Sequence, residues 1–124
     1  RLDAIDRSQA VIEFDLDGRI LTANQNFLQT VGYSLDEIVG RHHSMFCTPE
    51  YGGSAEYREF WARLRNGEFI SGRFHRHGKG GRDVWIQSSY NPILDLSGRP
   101  VKVIKYAYDV TEQVRLEQKL SVPA

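Results

Sequence analysis

The sequence predicts an α+β domain, a five-stranded antiparallel sheet with several short helices and one longer helix on one face. Three observations carry this. Two alternating apolar runs flank Asp17-Gly18 near the amino end, the middle of the chain carries apolar residues at helical spacing, and three further strand-like runs follow, joined by turn chemistry.

Taken in order, Leu2 to Ser8 reads as a short helix with Leu2 and Ile5 on one face. Val11, Ile12, Phe14 and Leu16 then lead into Asp17-Gly18, with Ile20 and Leu21 beyond it, and Asp-Gly between such runs predicts a hairpin. Phe27, Leu28 and Val31 form a helical face stopped by Gly32. Ser34 with Glu37 three positions on has the capping-box spacing, and Gly40 ends that second helix. After a loop marked by Pro49, Gly52 and Gly53, Ser54 caps the long helix to Asn66, with Tyr57, Phe60, Trp61 and Leu64 on one stripe. Strands follow over Phe69 to His77, Val84 to Leu94 and Val101 to Val110, joined by HGKGGRD and DLSGRP. The domain organisation is therefore 1–9 as an amino-terminal cap helix or linker, 10–110 as the domain, and 111–124 as the start of a carboxy-terminal helix.

The chain of 124 residues has the length of one domain. Sixteen basic residues balance sixteen acidic ones, so no global field draws in nucleic acid or an anionic membrane surface. No apolar stretch nears the roughly 20 residues that span a bilayer, and the single cysteine, Cys47, leaves no internal disulfide. A reducing, cytoplasmic setting is expected. The start at Arg1 and the stop just past a helix's beginning suggest a piece of a longer protein.

No enzyme is expected. Cys47 follows His42 and His43 by five and four residues, yet no acid, base and nucleophile set assembles around it. HGKGGR lacks the spacing of a phosphate-binding loop and reads as a hairpin tip. His75 and His77 share one strand face, an arrangement a metal can use, but the opposite parity carries Ile70, Gly72 and Phe74, so these histidines are read as solvated and no metal site is expected. Val84, Ile86, Ser88 and Tyr90 alternate against Trp85, Gln87, Ser89 and Asn91. Ser88 and Tyr90 would supply polar groups to an otherwise apolar pocket, or Tyr90 and Phe74 would simply fill the core. Trp61 carries the same two readings. Lys105, among Val103 and Ala107, either faces an anionic group or snorkels to solvent. At the end of the last strand Asp109 is placed to accept from the amide of Thr111 or Glu112, with Glu112 reaching back, so that strand and helix join without a loop.

The segments DGRILTANQNFLQTVGYSLDEIVG (17–40), FWARLRNGEFISGRFHRHGKGG (60–81) and WIQSSYNPILDLSGRPVKVIKYAYDVTEQ (85–113) together resemble a PAS domain, with its Asn-x-x-Phe and Gly-Tyr-Ser and its Asp-Val-Thr junction at Asp109 to Thr111. WIQSSYNPI and FWARLRNGEF are similar to PAS modules of bacterial methyl-accepting chemotaxis, aerotaxis and redox receptors. The resemblance implies a sensory domain of a larger receptor. It would sense a small ligand, redox state or oxygen in a cleft between the long helix and the sheet, and relay it through the carboxy-terminal helix to a downstream domain of the same chain, such as a methyl-accepting one. A homodimer is implied as well. His42, His43 and Phe46 would border the cleft, with Trp61, Phe74, Ser88, Tyr90 and Lys105 lining it. Haem b, through an axial histidine, and FAD are both cofactor candidates, although the long helix carries no histidine and Ile70 stands where flavin-binding relatives often place a second tryptophan. The alternative is a ligand-free PAS module used for dimerisation or docking.

Overall fold

A computed structural model describes residues 9–121. The helix expected over Leu2 to Ser8 lies outside the described residues. The elements run β1 (Ala10–Phe14), β2 (Ile20–Ala23), α1 (Gln25–Val31), α2 (Leu35–Ile38), a 3-10 turn (His43–Phe46), α3 (Pro49–Gly52), α4 (Ala55–Arg65), β3 (Ile70–His77), a second 3-10 turn (Lys79–Gly81), β4 (Asp83–Leu94), β5 (Pro100–Asp109) and α5 (Thr111–Ser121). The five-stranded sheet has the order β2-β1-β5-β4-β3, with every neighbouring pair antiparallel. The last strand in sequence is thus the central one.

Two turns of related sequence close the β1–β2 and β4–β5 hairpins. In DLDGR the Asp15 carboxylate accepts from the amides of Asp17 and Arg19, both at 2.9 Å. In DLSGR the Asp95 carboxylate accepts from the amides of Ser97 and Arg99 at 2.9 and 3.0 Å. Gly18 and Gly98 take φ of 86° and 85°, open to glycine without a Cβ penalty. The first hairpin therefore differs from the expected two-residue turn. Asp15 recruits three residues beyond itself, so Leu16 lies in the loop and not in the strand.

The helices begin where capping chemistry predicts. Asn24 accepts from the amide of Phe27 at the start of α1, Gly32 closes it in the left-handed region, and the Glu37 carboxylate accepts from the Ser34 amide at 2.8 Å. Thr48 caps α3, an element not anticipated from the glycine-marked loop, and Ser54 caps α4. Tyr57, Phe60, Trp61 and Leu64 are all buried on the inner face of α4. Burying each such side chain is worth about 2 kcal/mol of transfer free energy. They close over Phe14 of β1 and Tyr90 of β4, with Phe14 and Trp61 meeting edge to face at 5.5 Å and Phe60 and Tyr90 at 4.8 Å.

The expected parity of β4 is observed. Val84, Ile86, Ser88 and Tyr90 are buried, while Trp85, Gln87, Ser89 and Asn91 face the other way with partial or full exposure. On the outer face His75 stacks on Trp85 at 4.4 Å and bonds Asp83 at 2.9 Å, and His77 lies 3.7 Å from the same carboxylate. Asp83 supplies, across the hairpin, a third group that the spacing of the two histidines did not contain.

Candidate functional site

The inner face of the sheet carries a polar cluster within an aromatic shell. His43 enters it because the 3-10 turn is clamped to the first hairpin, its amide donating to the carbonyl of Gly18 at 2.8 Å. Gly18 is required there, since a Cβ would lie 2.7 Å from His42 Nε2 and 3.0 Å from the Trp61 ring. The His43 ring is fully buried, with Nδ1 2.6 Å from the Tyr57 hydroxyl and Nε2 2.9 Å from the Tyr90 hydroxyl. A neutral imidazole satisfies both tyrosines, donating from one nitrogen and accepting at the other. Burial, followed by the charges of Lys105, Arg76 and His42, holds its pKa well below the usual histidine range. Burial likewise raises Tyr57, and it pushes Tyr90 up to about 12.

Beside this cluster lie two buried basic side chains. Lys105 is 1% exposed and Arg76 is 5% exposed. Lys105 Nζ sits 4.7 Å from the centre of the Tyr90 ring and 6.0 Å from that of Phe27. Arg76 Nη1 donates to the carbonyl of His75 at 3.1 Å and Nη2 to the Tyr90 hydroxyl at 3.4 Å, while its Nε has no partner. Its guanidinium lies over Phe74 at 4.8 Å. Among the described residues no carboxylate pairs with either cation; the ion pairs there lie at the surface. Burial, and then Arg76, holds the Lys105 pKa well below the usual lysine range.

The residues expected at the cleft are thus largely gathered there. His43, Phe46, Trp61, Ser88, Tyr90 and Lys105 are buried on the facing surfaces of helices and sheet, and Phe74 is half-buried against Tyr90. Two of the readings left open are corrected. Lys105 does not snorkel, because β5 is central and its neighbours on both sides are sheet strands. His43 is no surface residue, and only His42 stays near solvent, its Nδ1 accepting from the Ser44 amide as the cap of the turn. Arg76 was missed, although it shares the inward parity of Phe74 and Gly72 on β3, and an arginine in an apolar set was its signal. Cys47 is half-buried with a thiol pushed up by burial, the opposite of an activated nucleophile.

The cavity between α1 and the sheet is lined by Phe27, Val31, Phe46, Arg76, Ile86 and Lys105, among others, and measures about 10 Å³, room for about one water. These residues do not fit haem iron at His43, whose two ring nitrogens are engaged and whose ring is walled by Phe14, Tyr57, Phe60 and Trp61. Nor does a space of this size accept an isoalloxazine ring.

The junction after β5 is tied to β4 from both sides. The Val110 amide donates to the Trp85 carbonyl at 2.8 Å, and the Trp85 amide donates to Thr111 Oγ1 at 2.9 Å. The threonine hydroxyl stands in for the next rung of the β4–β5 ladder. Asp109 accepts from the Thr111 amide at 2.9 Å, whereas Glu112 faces Arg115 at 3.7 Å and makes no bond back to Asp109 among the described contacts. On α5 Val114 is buried, and Glu117 bonds Arg73 of β3 at 2.8 Å.

This sheet order, the helical cover and the strand-to-helix junction agree with comparisons with known proteins. The family model described as the PAS fold matches residues 6–115, and the chain belongs to that family. It is a PAS sensory domain similar to those of chemotaxis-type receptors. It is 46% identical over 118 residues to the biofilm dispersion protein BdlA of Pseudomonas aeruginosa, covering 95% of this chain and 28% of that protein. It is 32% identical over 80 residues to the aerotaxis receptor of Escherichia coli, covering 64% of this chain and 16% of that receptor. The chain therefore spans less than a third of the length of either. Among solved structures, a PAS domain from Colwellia psychrerythraea superposes with a TM-score of 0.75 at 25% identity, over 90% of this chain and 95% of that one. An RNA-binding light-oxygen-voltage receptor superposes with a TM-score of 0.76 at 26% identity, over 98% of this chain and 36% of that one. Among the described residues no helix is long and apolar enough to cross a membrane.

Proposed function

We propose that this PAS domain binds a small ligand between the helical layer and the sheet. Occupancy biases α5 and so reaches a downstream domain of the same chain, of the methyl-accepting kind. One observation carries the reading: the strands that hold the buried polar groups, β4 with Ser88 and Tyr90 and β5 with Lys105, are the two that grip the start of α5 through Trp85, Val110 and Thr111. Displacement of β5 relative to β4 strains that grip, so a ligand that prefers one arrangement shifts the population of the other. No catalytic role is assigned to these groups. The test is hydrogen exchange on α5 amides with and without a ligand found by thermal-shift screening. Faster or slower exchange at Thr111–Ser121 is expected, and unchanged exchange at saturating ligand would refute the relay.

A second reading, docking without ligand, is favoured by Leu116 and Leu120, four residues apart on α5 and 51% and 87% exposed. A homodimer formed through that stripe would be compatible with either function. Sedimentation of the chain against a Leu116→Glu variant tests the stripe: a dimer in the first and a monomer in the second, with no binder found in the thermal-shift screen, is the docking outcome.

A further inference from the structure

Resting on the ligand reading above, we propose that the ligand is a small monocarboxylate anion, bound with its carboxylate between Arg76 and Lys105 and its alkyl part against the apolar wall of the same cavity.

The argument begins from charge. A cation removed from water is retained at such a position when something compensates it, and buried charges in folded proteins are paired or bound. Arg76 and Lys105 both line the one small cavity between α1 and the sheet. Each is more than nine-tenths buried, and no Asp or Glu among the described residues pairs with either. Ring faces and two hydrogen bonds to neutral oxygens are what the protein itself offers them. Arg76 keeps a buried Nε–H with no acceptor, and the Lys105 amine donates to an anion once protonated. Arg76 with its free Nε–H, beside a Lys105 amine that takes up a proton when an anion arrives, and with no Asp or Glu pairing with either among the described residues, forms half of an anion site.

The class of anion follows from what surrounds them. Phe27, Val31, Phe46 and Ile86 supply much of the remaining wall, and the Thr30 hydroxyl there donates to the carbonyl of Asn26 in its own helix, so the remainder of the ligand is apolar. A phosphate, with a second charge and more oxygens, would leave acceptors facing these side chains. A carboxylate presents two oxygens, one for each cation, and an attached alkyl group meets the apolar wall. The present space is about that of one water, so even a short-chain acid must move α1 away from β5 on entry. That movement separates the layers on the strand that continues into the junction, which is how recognition and relay become one event.

Thermal unfolding of the whole chain tests this with acetate, propionate and butyrate against propionamide, phosphate and sodium chloride at matched ionic strength. Propionate or butyrate should raise the midpoint, while the neutral amide, phosphate and chloride should not. In Lys105→Met the ligand-free midpoint should rise, because an amine that must give up its proton to be buried is replaced by an apolar chain of similar length, and carboxylate affinity should fall about tenfold or more. Arg76→Met should weaken carboxylate binding comparably, which keeps the test decisive if one variant misfolds. The proposal is overturned if propionamide acts as well as propionate, if phosphate or chloride acts equally, if no carboxylate acts, or if Lys105→Met keeps full affinity. A neutral compound that binds and alters α5 exchange would overturn the carboxylate assignment and leave the sensory reading standing. A carboxylate that binds without altering α5 exchange would do the reverse.

Discussion

Replacement of Thr111 by valine isolates the junction. The change keeps the β-branch and nearly the volume, so helix propensity and packing at the start of α5 are almost unaltered. What disappears is the acceptor, 2.9 Å from the Trp85 amide, which closes the β4 edge of the ladder where Val110 has turned away. The amide is partly buried and water replaces the hydroxyl only in part, so the expected cost is about 1 to 2 kcal/mol. For a domain of this size that lowers the unfolding midpoint by roughly 4 to 8 °C. Urea unfolding measures the free energy, and exchange at the Trp85 amide localises it, with protection expected to fall about tenfold. Asp109→Asn is the control. Its side chain is exposed and an amide oxygen still accepts from the Thr111 amide, so a change below about 0.5 kcal/mol is expected. If Thr111→Val leaves both stability and Trp85 exchange unchanged, or if Asp109→Asn matches it, the hydroxyl is not holding the junction and the reasoning fails.

Three other outcomes can be checked. His43→Phe leaves the Tyr57 and Tyr90 hydroxyls without their ring-nitrogen partners in the core, and urea unfolding should show a loss of about 2 to 4 kcal/mol. Gly78→Ala sets a methyl against the backbone carbonyl of Val31, which cannot swing aside, so a loss of about 1 to 3 kcal/mol is expected, with none at Gly80→Ser beyond its own backbone strain, since that site faces open space. Stability should rise with pH up to about 6.5 through His43 and up to about 10.5 through Lys105. The folded pKa values of His43 and Lys105 lie below their unfolded ones, so across the intervening range the unfolded chain holds protons that the folded chain lacks. Each group adds up to about 1.4 kcal/mol per pH unit, His43 only below about 6.5 and Lys105 up to about 10.5. In Lys105→Met the rise above about 6.5 should vanish while the rise below it persists, and a flat profile in the parent chain would contradict the burial of both groups.

The capping residues, the turn residues and the two periodicities are local physics, and they placed the elements to within a residue or two. Ser34 with Glu37, Ser54, Gly32 and the alternation of Val84 to Tyr90 needed no knowledge of the rest of the chain. The Asp15 turn was misread by its width because the side-chain bond that widens it reaches four residues along the chain, beyond what an Asp-Gly pair signals. The resemblance of three long segments to one family was also legible, and with it the nomination of His43, Trp61, Ser88, Tyr90 and Lys105, all of which are buried.

What sequence by itself determined was therefore which residues form each strand and every helix but α3, which face of each is apolar, and where strand passes into helix. Strand order, and with it the environment of every charged residue on the inner face, was decided by tertiary structure. Lys105 looks the same in sequence whether β5 is an edge or the centre. Only the pairing of β1 with one side of β5 and β4 with the other removes its route to water. Arg76 is brought to the same cavity by β3, and His43 is bonded between tyrosines 14 and 47 residues away. Propensity and periodicity act within a few residues of the chain, whereas desolvation and charge compensation depend on what lies across the core. The two basic groups without a carboxylate partner among the described residues, on which the ligand assignment rests, exist only in that second kind of information.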